Sequence, residues 1–295
     1  MSVFLRDTRA SFDSRHFGAS LEEESITIWR SDSPDPITTV QPGFSGGRNR
    51  HFIDPLNRLI YSGTWENGLT CFDYADNRIV WRRNDLIGIQ TVDLSAGFPA
   101  SVFVTLEAPD YRLDEPGVIS GIVELAAQDG RTKWATEDGG WVYADPRQPL
   151  LLIQDRCNDI VHILDADKNE VGSTPMIHFA IIDVGFSQDM IALAEGAKGV
   201  RILDHKGSVI SQYSPNNRKP NCIRVAFSDD YLIVFDSWKG SFVTIIEPDT
   251  GKVVMEYKRE SHGTICFIDK GSRFIDPSGQ ICRSINGQPE TTLKA

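Results

Sequence analysis

Five times along this chain a short apolar run enters a tight polar turn and resumes as a second apolar run. In "LTCFDYADNRIVW" (69–81), Asp73 precedes the kink Ala75-Asp76-Asn77, and Trp81 closes the returning arm. "VELAAQDGRTKW" (123–134) keeps the Gly130-to-Trp134 interval, and "HILDADKNEVGS" (162–173) keeps Asp165. "RILDHKGSVISQY" (201–213) keeps Asp204 with a turn one residue shorter. "TIIEPDTGKVVMEY" (244–257) keeps Thr250-Gly251, with Glu247 in the Asp position and Met255 in the Trp position. Short apolar runs bounded by Gly, Asp, Asn and Pro predict strands, and sustained helical periodicity is almost absent.

Two further strands precede each hairpin. "NRLIYSGTW", "SVFVTLEAP", "PLLLIQDR", "DMIALAEGA" and "DYLIVFDSW" stand directly before them; "RHFID", "IQTVDLS", "WVYAD", "FAIIDVGFS" and "IRVAFS" stand earlier still. The unit is therefore a four-stranded antiparallel sheet, and successive turns lie about 38 to 53 residues apart, the length of one propeller blade. The segment from Arg9 to Val40 supplies a degenerate first unit and that from His262 to Leu293 a short last one. The expected fold is all-β: a seven-bladed β-propeller of four-stranded antiparallel blades, one domain over residues 1–295. An N-terminal strand, "MSVFL", is expected to pair with the last blade and close the ring, removing an exposed edge.

The motif A-x-D-x-x-T-G-x-x-x-W of quinoprotein-like propellers resembles "CFDYADNRIVW" and "IIEPDTGKVVM". Asp73 and Trp81 match both marked positions; Trp134 and Asp165 match one each. The resemblance implies that the Asp braces the hairpin turn while the Trp stacks between blades, so both are scaffold. WD40-type propellers are similar in plan, although no Trp-Asp dipeptide ends a repeat here. Quinone-dependent dehydrogenases with related repeats are larger, exported and often carry adjacent cysteines; this chain departs on all three counts, and no cofactor is expected.

Composition narrows the partners. The formal net charge of −11 repels phosphate backbones, which argues against a nucleic-acid binder and favours a basic protein partner. No apolar run approaches the roughly 20 residues a membrane-spanning helix needs. "MSVFLRDTRASFDS" lacks a secretory leader's basic start and apolar run, so the expected location is cytoplasmic. The five cysteines form no C-x-x-C pair; within strand-like runs such as "LTCFD" and "TICFID" they serve as small apolar residues.

No catalytic residue is assigned: the sequence holds no G-x-S-x-G elbow, H-E-x-x-H or P-loop. The expected binding residues lie in loops. The insertion 107–117 brings Tyr111 and Arg112 beside Asp114 and Glu115, an aromatic and an arginine of the kind that anchor interfaces. Trp65 and Trp238 occupy equivalent turns, and Arg218 and Lys219 form a basic island. No metal is expected. The weak candidates are His51, His178 and His262, placed three, five and seven residues before the Asp that ends each innermost strand, hence on one strand face.

The expected function is a non-catalytic interaction scaffold gripping a macromolecule through the propeller's loop face, one version being an immunity-type inhibitor of a basic toxin. The alternative is a metal-dependent, lactonase-like hydrolase at the channel mouth. Its carboxylates would be Asp54, Asp93, Asp145, Asp183 and Asp269, although their recurrence once per blade is better explained as turn chemistry.

Overall fold

Runs such as "LIYSGT", "SVFVTL" and "YLIVFD" are apolar on both strand faces, which suits strands covered from two sides rather than one. In the computed structural model such runs are the middle strands of radial sheets. It describes residues 6–11, 13–20, 25–41, 50–65, 68–107, 121–136, 140–177, 181–214, 222–236, 241–259 and 265–294.

Among these residues, 28 strands form seven four-stranded antiparallel blades in chain order. Blade 1 holds β1–β4 (Arg6–Ala10, His16–Ser20, Ile26–Arg30, Pro36–Val40), and blade 2 holds β5–β8 (Arg50–Asp54, Leu59–Thr64, Gly68–Asp73, Arg78–Arg83). Blade 3 holds β9–β12 (Ile89–Asp93, Ser101–Leu106, Gly121–Ala126, Thr132–Thr136), and blade 4 holds β13–β16 (Gly140–Ala144, Leu151–Asp155, Ile160–Leu164, Glu170–Pro175). Blade 5 holds β17–β20 (Asp183–Phe186, Met190–Ala194, Val200–Asp204, Val209–Tyr213). Blade 6 holds β21–β24 (Cys222–Ser228, Tyr231–Asp236, Ser241–Ile246, Val253–Arg259). Blade 7 holds β25–β28 (Cys266–Ile268, Arg273–Ile275, Gln280–Arg283, Pro289–Thr292). The seven blades form a ring, as the repeat spacing predicts.

The core is divided accordingly. Its buried side chains fall into seven clusters among the described residues, one at each seam between neighbouring blades. Blade 3 shows the logic of a two-sided sheet. Val102, Val104, Val123 and Leu125 pack toward blade 2, while Phe103 and Ile122 point the other way, toward Val142 and Leu151 of blade 4. The first strands line the axis, and the fourth strands form the exposed rim.

Turns are braced as the Asp positions predict. Asp73 Oδ1 accepts from the backbone N–H groups of Ala75 (3.0 Å) and Asp76 (3.1 Å), and Asn77 adopts φ 52°. Asp165 accepts from Asp167 and Asn169, and Asp204 from Lys206 and Ser208. These are side-chain mimics of a backbone turn.

The ring closes between blades 7 and 1. Trp29 Nε1 donates to the Lys294 carbonyl (3.1 Å), the Lys294 N–H donates to the Pro34 carbonyl (2.8 Å), and Ser31 Oγ donates to Asp269 Oδ1 (2.7 Å). Phe17 stacks on Trp29 at 5.8 Å within the same cluster. The expected closing segment, residues 1–5, lies outside the described residues; β1 pairs with β2 inside blade 1.

Candidate functional site in the central channel

The inner strands of all seven blades enclose a channel cavity of about 460 Å³. Its wall mixes apolar side chains, including Phe52, Trp141 and Phe267, with polar ones, four of them charged: Arg9 of β1, Asp93 of β9, Asp183 of β17 and Arg224 of β21. Asp183 is engaged. Its Oδ2 accepts from the Val225 N–H at 3.0 Å, and its Oδ1 lies 3.5 Å from Arg224 Nη1. Asp93 and Arg9 attract each other through space, and no hydrogen bond joins them.

Burial pushes the Asp93 carboxyl up to about 6, against the pull of Arg9 and with a further push from the charge on Asp183. Asp183 is raised by the same desolvation, opposed by Arg224, the Val225 N–H and Arg9. Tyr143 lines the cavity between them; burial, then the charges on Asp183 and Asp93, hold its phenol well above the ordinary range. Its hydroxyl donates to the Ile181 carbonyl at 2.9 Å.

The five once-per-blade carboxylates do not share one role. Asp54 and Asp145 are turn braces: Asp54 accepts from Leu56 and Asn57, and Asp145 from Arg147 and Gln148. Asp269 binds Arg273 and Ser31 instead. Asp93 and Asp183 correct the turn expectation. Ser95 braces the turn of blade 3, taking the Gly97 N–H at 3.0 Å. Ser187 braces that of blade 5, taking the Met190 N–H at 2.9 Å. With a serine two or four residues downstream doing the turn chemistry, each aspartate is left to the channel. That Ser offset was the available sequence signal; Arg9, Arg224 and Tyr143 had none.

At the end of the channel reached by the turns between first and second strands lies a second cavity of about 470 Å³, lined by Phe186, Phe227, Phe267 and Pro146 with Arg147 and Lys270.

His51 is buried in the seam between blades 1 and 2, its Nε2 within 3.1 Å of where a Cβ on Gly18 would stand, and it does not line the channel. His178 and His262 lie outside the described residues. Among the described residues, no three His, Cys, Asp or Glu side chains stand close enough to hold a metal. Trp65 is 37% exposed, and its carbonyl accepts from the Gly88 N–H at 2.8 Å. Tyr111, Arg112, Asp114, Glu115, Arg218, Lys219 and Trp238 lie outside the described residues.

The outer strands hold a further feature that the sequence reading did not single out. Val209 and Ile210 on β20, and Val253, Val254 and Met255 on β24, are 40–52% exposed on adjoining blades. The blades are close here: a Cβ on Gly251 would meet the Gln212 carbonyl at 2.5 Å.

No protein-family model matches the chain, and no curated protein matches it by sequence. Solved structures match its fold. The β-propeller domain of Myceliophteria thermophila Cps50 (Swd1) superposes with TM-score 0.72 at 11% identity, over 96% of this chain and 94% of that one. Kluyveromyces lactis Hsv2p does so with TM-score 0.71 at 12% identity, over 97% of each chain. BamB from Moraxella catarrhalis gives TM-score 0.61 at 15% identity, over 100% of this chain and 90% of that one. These likenesses are of fold alone and agree with the β-propeller built by the seven blades.

Proposed function

We propose that this chain is a non-catalytic interaction scaffold for a basic protein partner. The observation that carries the proposal is the set of large aliphatic side chains exposed on the rim of blades 5 and 6: Val209, Ile210, Val253, Val254 and Met255. Large aliphatic side chains exposed on the outer strands of two adjoining blades suit an interface core, and β24, as the edge of its sheet, also offers unpaired backbone groups. The net charge of −11 supplies long-range attraction for a basic partner. The propeller likeness adds support by analogy alone. Tyr111 and Arg112, in the sequence insertion 107–117, are a second proposed contact, supported by residue type. An immunity-type inhibitor covering a basic toxin domain, acting in the cytoplasm, is the narrower form of the proposal. Metal-dependent hydrolysis is less well supported, because two of its five carboxylates, Asp54 and Asp145, are committed to turns.

The test compares the native chain with the double variant Val254→Glu, Met255→Glu as baits at rising salt. A partner held by the native chain at low salt, released by salt and lost on the double variant supports the proposal. Capture of nothing, or the same proteins held equally by both baits, refutes it.

A further inference from the structure

We infer that the central channel binds a small zwitterion, an α-amino-acid-like molecule whose ammonium group is held by Asp93 and whose carboxylate is held by Arg9. The inference goes beyond the rim interface and rests on different residues.

Size comes first. A cavity of about 460 Å³ on the ring axis falls within the range of small-molecule sites, and its walls come from every blade, so its shape is fixed by the whole ring. Charge narrows the ligand. Of the four charged groups lining the cavity, Asp183 and Arg224 already face each other, with the Val225 N–H completing the carboxylate's contacts. Asp93 and Arg9 remain: Asp93 takes a hydrogen bond from the Thr91 side chain, but among the described residues no ion pair joins it to Arg9, and the two opposite charges stand on blades 3 and 1 facing one cavity.

A purely cationic ligand would satisfy Asp93 and meet repulsion from Arg9; a purely anionic one would do the reverse. Only a molecule with both charges converts the separated pair into two charge-assisted contacts, and a partly desolvated charge gains most from such a partner. The apolar faces of Phe52 and Trp141 beside these groups leave room for an uncharged, preferably aromatic, substituent. Gln90, also lining the cavity, adds a neutral donor and acceptor.

Calorimetric titration and thermal melting of the full chain with each of the twenty standard amino acids test the inference. At least one aromatic or aliphatic amino acid is expected to bind saturably and raise the melting temperature. For L-phenylalanine, the one-charge analogues are phenethylamine and 3-phenylpropionate, each expected to bind at least about tenfold more weakly than the zwitterion. Asp93→Asn should weaken the amino acid without weakening 3-phenylpropionate; Arg9→Gln should weaken the amino acid without weakening phenethylamine. If either variant fails to fold, Asp93→Glu and Arg9→Lys, which keep the charges, should retain measurable binding. No binding by any of the twenty at about 10 mM, or equal binding of a zwitterion and its one-charge analogue, overturns the inference.

Discussion

Trp81 of blade 2 lies flat against Gly130 of blade 3, so close that a Cβ on residue 130 would stand 2.7 Å from Trp81 Cε3. The indole Nε1 donates to the Ala127 carbonyl at 2.9 Å in the same turn. Four blades on, Tyr257 repeats the arrangement: its hydroxyl donates to the Ser284 carbonyl at 2.7 Å, and its ring covers Gly287. In both turns the glycine, three residues after the accepting carbonyl, has positive φ, 71° at Gly130 and 70° at Gly287. Trp81→Ala is therefore expected to lose about 3–5 kcal/mol, the cost of emptying a large aromatic site and orphaning a carbonyl. Gly130→Ala should be destabilising too, because both φ and the indole oppose a methyl group. Denaturant melts of the two variants check this; a Trp81→Ala loss below about 1 kcal/mol would remove the seam from among the main supports of the ring.

The same pair marks what the sequence could and could not disclose. The Asp-to-Trp spacing located Trp81 and its seam, and the hairpin intervals gave the blade number, because both follow from local turn chemistry repeated along the chain. Met255 occupies Trp81's register, yet it is 43% exposed, and Tyr257, two residues further on the same strand face, fills the seam. A repeat motif records position along a strand; which of two same-face residues reaches the next blade depends on that blade's turn. The channel was less legible still. Arg9 and Asp93 are 84 residues apart by their numbers and meet only because the ring closes. Asp183 was aligned with turn aspartates that it does not join, since Ser187 holds the turn.

Arg201 and Glu195 form a buried bidentate pair, with Arg201 Nε to Glu195 Oε2 and Nη2 to Oε1 both at 2.7 Å. Arg201 also donates to Thr174 Oγ1 and the Pro175 carbonyl, so the pair ties blade 5 to the last strand of blade 4. Arg201→Met would strand an uncompensated carboxylate and is expected to cost about 3–5 kcal/mol, whereas the double variant Arg201→Met, Glu195→Met should recover most of that loss. The double-mutant cycle in urea reads the coupling directly. Two additive losses would mean that the pair is not coupled.

The thiols divide by exposure. Burial pushes Cys71 up to about 12 and Cys266 and Cys282 up to about 11, while Cys157 is exposed on the turn after β14. Thiolate is the reacting form, so at pH 8 a disulfide reagent should modify Cys157 well before these three, which should react on unfolding. Mass mapping of the modified sites over time checks the order; Cys71 labelling as fast as Cys157 in the folded protein would contradict it.

The Asp93 carboxyl gives the chain a stability term of unusual sign. Its folded value of about 6 lies above the ordinary 3.8, so between those pH values the folded state binds more protons than the unfolded chain. The contribution is fully present below about pH 3.8 and is lost as pH rises through 6. By pH 7.5 the charged Asp93 weighs against folding by on the order of 1–3 kcal/mol. Most shifted carboxylates work the other way. Asp13 is an example: hydrogen bonds from His16, Ser11 and Arg15 outweigh burial and hold it far below the usual range, a stabilisation lost on acidification. The native profile therefore sums opposing terms, and the difference between native and Asp93→Asn isolates one of them. That variant should be the more stable above pH 6.5, with its advantage shrinking toward zero near pH 4. Urea melts of both proteins at half-unit steps from pH 4 to 8 measure it; a difference that does not change with pH would show that Asp93 titrates alike in the folded and unfolded chain.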